Sequence, residues 1–241
     1  MADEKKKPTA TLVTFLLDRT GSMQSIKDDT IGAFNAYLST LQKKGGGIEF
    51  SFLQFDSISL DKICVNRPVT DVAPLTDETF QPRASTPLID AAYATIEAVG
   101  EALAKRDAQP KVVICIQTDG LENASTEHTW AELNLLIKEK SRLGWQFNFM
   151  GAGIDAYEQG RQMGIPAAAT VSYDKASRAA TVGAFAASAA NTVAYARDEA
   201  PTVGFSPAQK RAAGDRFFGT ADAVKTMVKR AKSAIVDKVS L

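Results

Sequence analysis

Val112 to Ile116, inside the stretch Lys111 to Thr118, is an unbroken apolar run, the pattern of a central parallel strand covered by helices on both faces. The segments around it alternate between strand and helix patterns. Thr9 to Leu17 is an apolar, β-rich run that stops at Asp18, and Ser25 to Gln42 then carries Ile31, Phe34, Leu38 and Leu41 at helical spacing. Gly45 to Gly47 breaks the chain before Ile48 to Phe55, which reads as a strand, and a short extended stretch near Ile63 to Val65 is expected to pair beside it as an edge hairpin. Pro87 suits the first turn of a helix to about Lys105 that buries Leu88, Ala91, Ala92, Ile96 and Val99. A helix from about Thr129 to Leu143, a strand from Trp145 to Gly151 and a short helix from Ile154 to Met163 continue the series. This order predicts an α/β fold with a doubly wound, mostly parallel sheet flanked by helices. In such sheets, ligands collect beyond the carboxyl ends of the strands.

A chain of 241 residues suits one large domain with an appended segment. The expected division is a flexible polar N-terminus over 1–8, the domain over 9–200, and a linker with an amphipathic basic helical tail over 201–241, the C-terminal helical extension. Asp174 to Asp198 is rich in Ala, as in a helix packed closely against another element. From Ser206 on, Phe217, Ala221, Val224, Val228, Ala231 and Ile235 form a helical stripe, and Lys and Arg outnumber Asp. That basic face would suit an acidic partner, RNA or a membrane surface. Elsewhere charge is balanced, 28 Lys and Arg against 28 Asp and Glu, so no global field draws the chain to nucleic acid or membrane. Met1 to Pro8 is polar and Lys-rich, without the apolar core of a secretory signal, and no later run approaches a membrane span. A cytoplasmic location is expected, with Cys64 and Cys115 as buried free thiols.

The chemistry concentrates where the first strand stops. Asp18, Thr20 and Ser22 are spaced two residues apart in a loop that contains Gly21, so an extended loop can turn all three toward one point. One carboxylate and two hydroxyls are hard oxygen donors that suit Mg²⁺, which binds at about 2.0–2.1 Å and keeps part of its shell for water or a partner. Taken alone, the same residues serve equally as helix caps.

Asp18-Arg-Thr-Gly-Ser-Met23 is similar to the Asp-x-Ser-x-Ser signature of von Willebrand factor type A domains, whose metal-ion-dependent adhesion site is completed by a distant Thr and Asp. Ser85-Thr86-Pro87-Leu88 resembles the family's Thr loop, and Gln117-Thr118-Asp119-Gly120 its Asp loop. Gly144 to Gly151 resembles a later strand of bacterial and phage members, so the likeness covers roughly residues 9 to 170. It implies that Thr20, Ser22 and Thr86 reach the ion by their hydroxyls, while Asp18 and Asp119 act largely through bound waters. The open position would take an Asp or Glu from a partner protein. Mg²⁺ is the expected ion, with Mn²⁺ and Ca²⁺ as alternatives. Intracellular relatives often serve as adaptors for ATPases or multiprotein complexes, which makes a separate ATPase a candidate partner and the host cytoplasm the location if a phage encodes the chain. Two departures stand out: Thr20 replaces the more usual Ser, and Ala84 stands where many relatives have Gly.

Other chemistry finds less support. His128 is the sole histidine, there is neither a Gly-x-x-x-x-Gly-Lys-Ser/Thr loop nor an H-E-x-x-H motif, and Gly151-Ala-Gly153 lacks the third glycine of a dinucleotide loop. Asp56, Glu122 and Asn123 are candidates for the rim of the metal face, and Asp90 is expected to face its own helix. The leading expectation is a non-enzymatic, metal-dependent binding module. A metal-assisted hydrolase or phosphoryl-transfer enzyme, and an assembly component acting through its C-terminal helix, are the alternatives.

Overall fold

The computed structural model describes residues 10–219. The N-terminus from Met1 to Pro8 and the tail beyond residue 219, including most of the expected apolar stripe and basic face, lie outside the described residues.

Six strands form one sheet: β1 (Thr11–Asp18), β2 (Ile48–Phe55), β3 (Leu60–Pro68), β4 (Lys111–Thr118), β5 (Gln146–Ala152) and β6 (Thr170–Tyr173). Their order is β3-β2-β1-β4-β5-β6, parallel throughout except for the antiparallel edge strand β3. The helices are α1 (Lys27–Lys44), α2 (Leu88–Ala104), α3 (Trp130–Arg142), α4 (Ala156–Met163), α5 (Arg178–Ala196) and α6 (Pro207–Ala212). None of the described helices is long and apolar enough to cross a membrane.

The doubly wound α/β expectation holds, and the reason is visible in the burial of β1 and β4. Alternate residues of β1 enter two separate cores: Val13, Phe15 and Leu17 join α1 and α5 on one face, Leu12 and Leu16 join α2 and α3 on the other. Phe15 anchors the first core, edge-on to Phe34 at 5.2 Å and Tyr37 at 5.0 Å, with Phe185 at 6.0 Å. Such ring pairs add to the area they bury. The Ala-rich composition of α5 lets it lie close against α1 and the sheet, with Ala184, Ala187 and Ala189 all buried. Cys115 is buried in this core, where burial pushes its thiol up to about 11, and Cys64 is half-buried; both are free.

Three elements differ from expectation. The edge hairpin strand is longer, spanning Leu60–Pro68. β6 went unforeseen because it has only four residues. The short α6, capped by Ser206 and Gln209, precedes the expected stripe, which from Ala221 on lies outside the described residues, and the chain turns after α6 at Gly214 with φ +66°. Residues 201–215 also pack on the domain. Val203 and Phe205 enter the α1/α5 core, and the Phe205 amide donates to the Ala168 carbonyl at 2.7 Å. Lys210, expected on a solvated basic face, is 3% exposed and donates to the Ala167 carbonyl at 2.6 Å. Asp215 accepts from the Ser172 amide on β6 and from the Tyr157 hydroxyl, so this segment covers part of an edge strand.

Candidate metal site at the sheet switch point

From β1 the sheet runs one way through β2 and β3 and the other way through β4, β5 and β6, so the crevice lies between the carboxyl ends of β1 and β4. Leu17 pairs with Gln117 across these strands, which sets Asp18 beside the turn carrying Thr118 and Asp119. The Asp18 carboxylate accepts from the Thr20 amide at 2.6 Å and from the Thr118 hydroxyl at 2.5 Å. Ser22 Oγ donates to Asp119 Oδ1 at 2.5 Å and lies 3.2 Å from Thr20 Oγ1, which in turn is 3.2 Å from Thr86 Oγ1. The five residues singled out from the sequence therefore meet.

Each loop has its own support. Thr86 is fenced by Asn123, whose side-chain oxygen accepts from the Thr86 amide at 2.9 Å while its own amide donates to the Thr86 carbonyl at 3.1 Å. The Gly21 amide donates to the Ala84 carbonyl, and the Arg83 amide to the Arg19 carbonyl, so the Thr loop is strapped to the β1 loop. Gly120 completes the convergence: a Cβ there would stand 3.2 Å from Thr86 Oγ1 and 3.6 Å from Ser22 Oγ. Asp18, Thr20, Thr86 and Asp119 are buried, whereas Ser22 and Gly21 are exposed, so the site opens to solvent on one side.

Electrostatics tests whether a cation fits. Burial raises the Asp18 carboxyl to about 6, against hydrogen bonds from Thr118 and Thr20 that lower it, and the neighbouring Asp119 raises it further. A buried carboxylate in this condition lacks counter-charge. Among the described residues no three His, Cys, Asp or Glu side chains cluster as a metal site built on those donors alone would require. The set here is of another kind, two carboxylates and three hydroxyls, all oxygen, and it suits a hard divalent ion.

Solved structures resemble this architecture at low identity. The proximal thread matrix protein 1 of the mussel byssus, solved with a zinc-occupied MIDAS motif, matches with TM-score 0.55 at 15% identity, over 74% of this chain and 46% of that one. A von Willebrand factor type A protein from Catenulispora acidiphila matches with TM-score 0.53 at 12% identity, over 77% and 43%. The chain has the von Willebrand factor type A fold. Manganese-loaded TRAP protein of Plasmodium vivax matches with TM-score 0.53 at 14% identity, over 74% of both chains. The match spans less than half the length of the mussel and Catenulispora proteins. No protein-family model and no curated protein matches the sequence.

Within this vWA fold, the carboxylates expected at the rim of the metal face, in solvent or against their own helix have other partners. Asp56 is buried against Arg19 and Arg83. Glu122 accepts from the amides of Ile89, Ala124 and Ser125. Asp90 faces away from its own helix, accepting from the amides of Thr126, Glu127 and His128. These groups hold the loops in shape by satisfying backbone donors. His128 stacks on Tyr93 with ring centroids 3.7 Å apart. Gly151 is a packing residue, since a Cβ there would come within 2.7 Å of the Ala156 Cβ.

Two contributors carried no role of their own in the sequence reading, Thr118 and Lys175, while Asn123, expected at the rim of the metal face, holds the backbone of Thr86. Thr118 flanks Asp119 and was within sight. Lys175 lies 56 residues from Asp119, just after the unforeseen β6, yet its Nζ sits 3.5 Å from Asp119 Oδ2.

Ala84 adopts φ +61°, a conformation a Cβ disfavours by roughly 1 kcal/mol. Ala84→Gly is therefore expected to raise the unfolding free energy by up to about 1 kcal/mol, less what the unfolded chain gains in freedom. A loss of stability in denaturant titration would mean that this entropy outweighs the strain.

Proposed function

We propose that this chain is a divalent-cation-dependent protein-binding module, an adaptor that grips an acidic side chain of a partner protein through the site at the sheet switch point. The observation that carries the reading is the meeting of Asp18, Thr20, Ser22, Thr86 and Asp119, drawn from three loops, around a face left open at Ser22. Thr20, Ser22 and Thr86 would offer hydroxyls to the ion, and Asp18 and Asp119 would balance its charge. Mg²⁺ is the favoured ion, with Mn²⁺ or Ca²⁺ as substitutes, and bound there it supplies a Lewis-acidic position for a partner's Asp or Glu. The chain's own part is to hold five donors in place and to keep one side accessible. Zinc and manganese in the similarly folded mussel and Plasmodium proteins support a divalent ion in this position.

In this reading the module is not an enzyme. Both oxygens of Asp18 and one of Asp119 already accept hydroxyl or amide hydrogens, which leaves them poorly suited to act as a general base. The two free cysteines suit a reducing cytoplasm. A separate ATPase or a multiprotein complex is a fitting client.

Asp119→Ala tests the assignment. Metal affinity by calorimetry is expected to fall by about 100-fold or more, the upper end of what outer-sphere partners of a metal cost, while the circular dichroism spectrum stays native. In affinity capture, a partner retained by the wild type in Mg²⁺ should be absent both in EDTA and with the variant. Unchanged metal affinity would refute the site, and retention of the same partner in all three conditions would refute binding through it.

A further inference from the structure

Lys175 stands out among charged groups because its ammonium approaches a proposed ion-site carboxylate that is itself fully buried. Its side chain is 40% exposed, whereas that of Asp119 is 0% exposed, and the two are 3.5 Å apart. The approach is built by the turn that follows β6. Asp174 accepts from the Ala176 amide, and the Gly153 amide donates to the Tyr173 carbonyl at 2.8 Å, which draws the end of β5 under this turn. The Lys175 stem then passes over Gly153. A Cβ on Gly153 would lie 2.8 Å from Lys175 Cδ and 2.9 Å from Cγ, so the bare glycine backbone is what admits the stem.

Asp119 thus divides its carboxylate between two neighbours. Oδ1 accepts from Ser22, a hydroxyl of the proposed metal set, and Oδ2 faces Lys175. Coulomb attraction holds the ammonium against an oxygen whose burial denies it water. The same ammonium repels any divalent ion drawn to the neighbouring hydroxyls.

We propose that Lys175 is a tethered cation of this site: it screens Asp119 when no divalent ion is bound, must swing away for the ion to enter, and so weakens the affinity for the ion. The proposal rests on the metal-site reading and adds to it a positioning residue outside the oxygen ligands. Lys175 can make the move because much of its side chain is already in solvent. Its charge would then stand beside a loaded site whose two carboxylates and ion are close to neutral together.

The test compares wild type, Lys175→Met and Lys175→Arg in calorimetric titrations with Mg²⁺ and Mn²⁺, with thermal unfolding in EDTA and in saturating Mg²⁺. Methionine keeps the apolar stem and removes the charge, so the affinity should tighten by about three- to tenfold at low ionic strength, and the gap should narrow in high salt. Arginine should stay within about twofold of wild type, since it keeps the charge. The Mg²⁺-induced rise in Tm should be larger for Lys175→Met than for wild type, because the metal-free variant alone has lost its counter-charge. If wild type binds the ion and Lys175→Met binds it equally or more weakly, the tethered-cation role is overturned while the metal site stands. If wild type binds no divalent ion, both fall, and Asp119→Ala then changes nothing.

Discussion

Asp18→Asn is expected to stabilise the metal-free protein at pH 8 and to destroy the stabilisation that a divalent ion provides. In the fold, burial holds the Asp18 carboxyl at about 6, above its ordinary value of 3.8. The folded state therefore keeps a proton that the unfolded chain has already lost between those two values. Stability from this group is greatest below about pH 4 and falls as pH rises through about 6. By pH 8 the ionised carboxylate costs the metal-free fold roughly 3 kcal/mol. Asparagine carries no charge, and its amide oxygen can still accept from the Thr20 amide. In EDTA at pH 8 the variant should melt about 6–10 °C higher than wild type, with the difference closing near pH 4. In Mg²⁺ at about 1,000 times the Kd the order should reverse, because wild type then gains about 4.1 kcal/mol, more than the roughly 3 kcal/mol that separates the two in EDTA, and the variant gains little. Thermal melts at the two pH values, each with EDTA and with Mg²⁺, check all four corners. If the variant melts lower in EDTA at pH 8, hydrogen bonding by the carboxylate outweighs its desolvation, and the site needs no cation to be stable.

The same residue shows why the site was legible in the sequence. Asp18, Thr86 and Asp119 each fall at a strand end or a helix start, where short-range pattern already fixes the backbone, and β1 and β4 are adjacent because both are apolar on two faces. Resemblance to the vWA loops then connected the three. Lys175 was not legible. It follows a strand of four residues, Thr170–Tyr173, too short to show a period, and its meeting with Asp119 depends on how that strand pairs with β5. Loop carboxylates were the other difficulty. Asp56 and Glu122 are spaced as plausibly for a metal rim as for solvated turns, yet the amides and guanidinium groups they accept from are brought to them by segments 27 to 37 residues away or by local turns of unknown direction. Sequence spacing carries the residue type at such positions, while the tertiary path decides what the side chain meets.

Asp56→Ala is where that distinction has its largest consequence. Asp56 Oδ2 accepts from Arg19 Nε at 3.0 Å, from Arg19 Nη2 at 2.7 Å and from Arg83 Nε at 2.9 Å. Oδ1 accepts from the amides of Ile58 at 2.7 Å and Ser59 at 3.0 Å. The Asp56 side chain is 0% exposed and that of Arg19 8%. Burial alone would raise the Asp56 carboxyl, but hydrogen bonds from Arg83, Ile58, Arg19 and Ser59 outweigh it and hold the group below its ordinary value. Its contribution to stability is therefore present above pH 4 and lost as pH falls through the lowered value. Alanine leaves the Arg19 guanidinium buried with part of its charge unpaired, a loss of about 3–5 kcal/mol. Asp61→Ala removes a partner of the same guanidinium whose side chain is 41% exposed, so it should cost under about 1 kcal/mol. Urea denaturation of both variants at pH 7 gives the comparison directly. Because Arg19 and Arg83 lie at the backbone strap between the β1 loop and the Thr loop, Asp56→Ala should also weaken metal binding in the molecules that remain folded. Equal stability losses for the two variants would mean that Asp61 and solvent can satisfy Arg19 unaided, and that the loops around Thr20 and Thr86 are held by their backbone bonds alone.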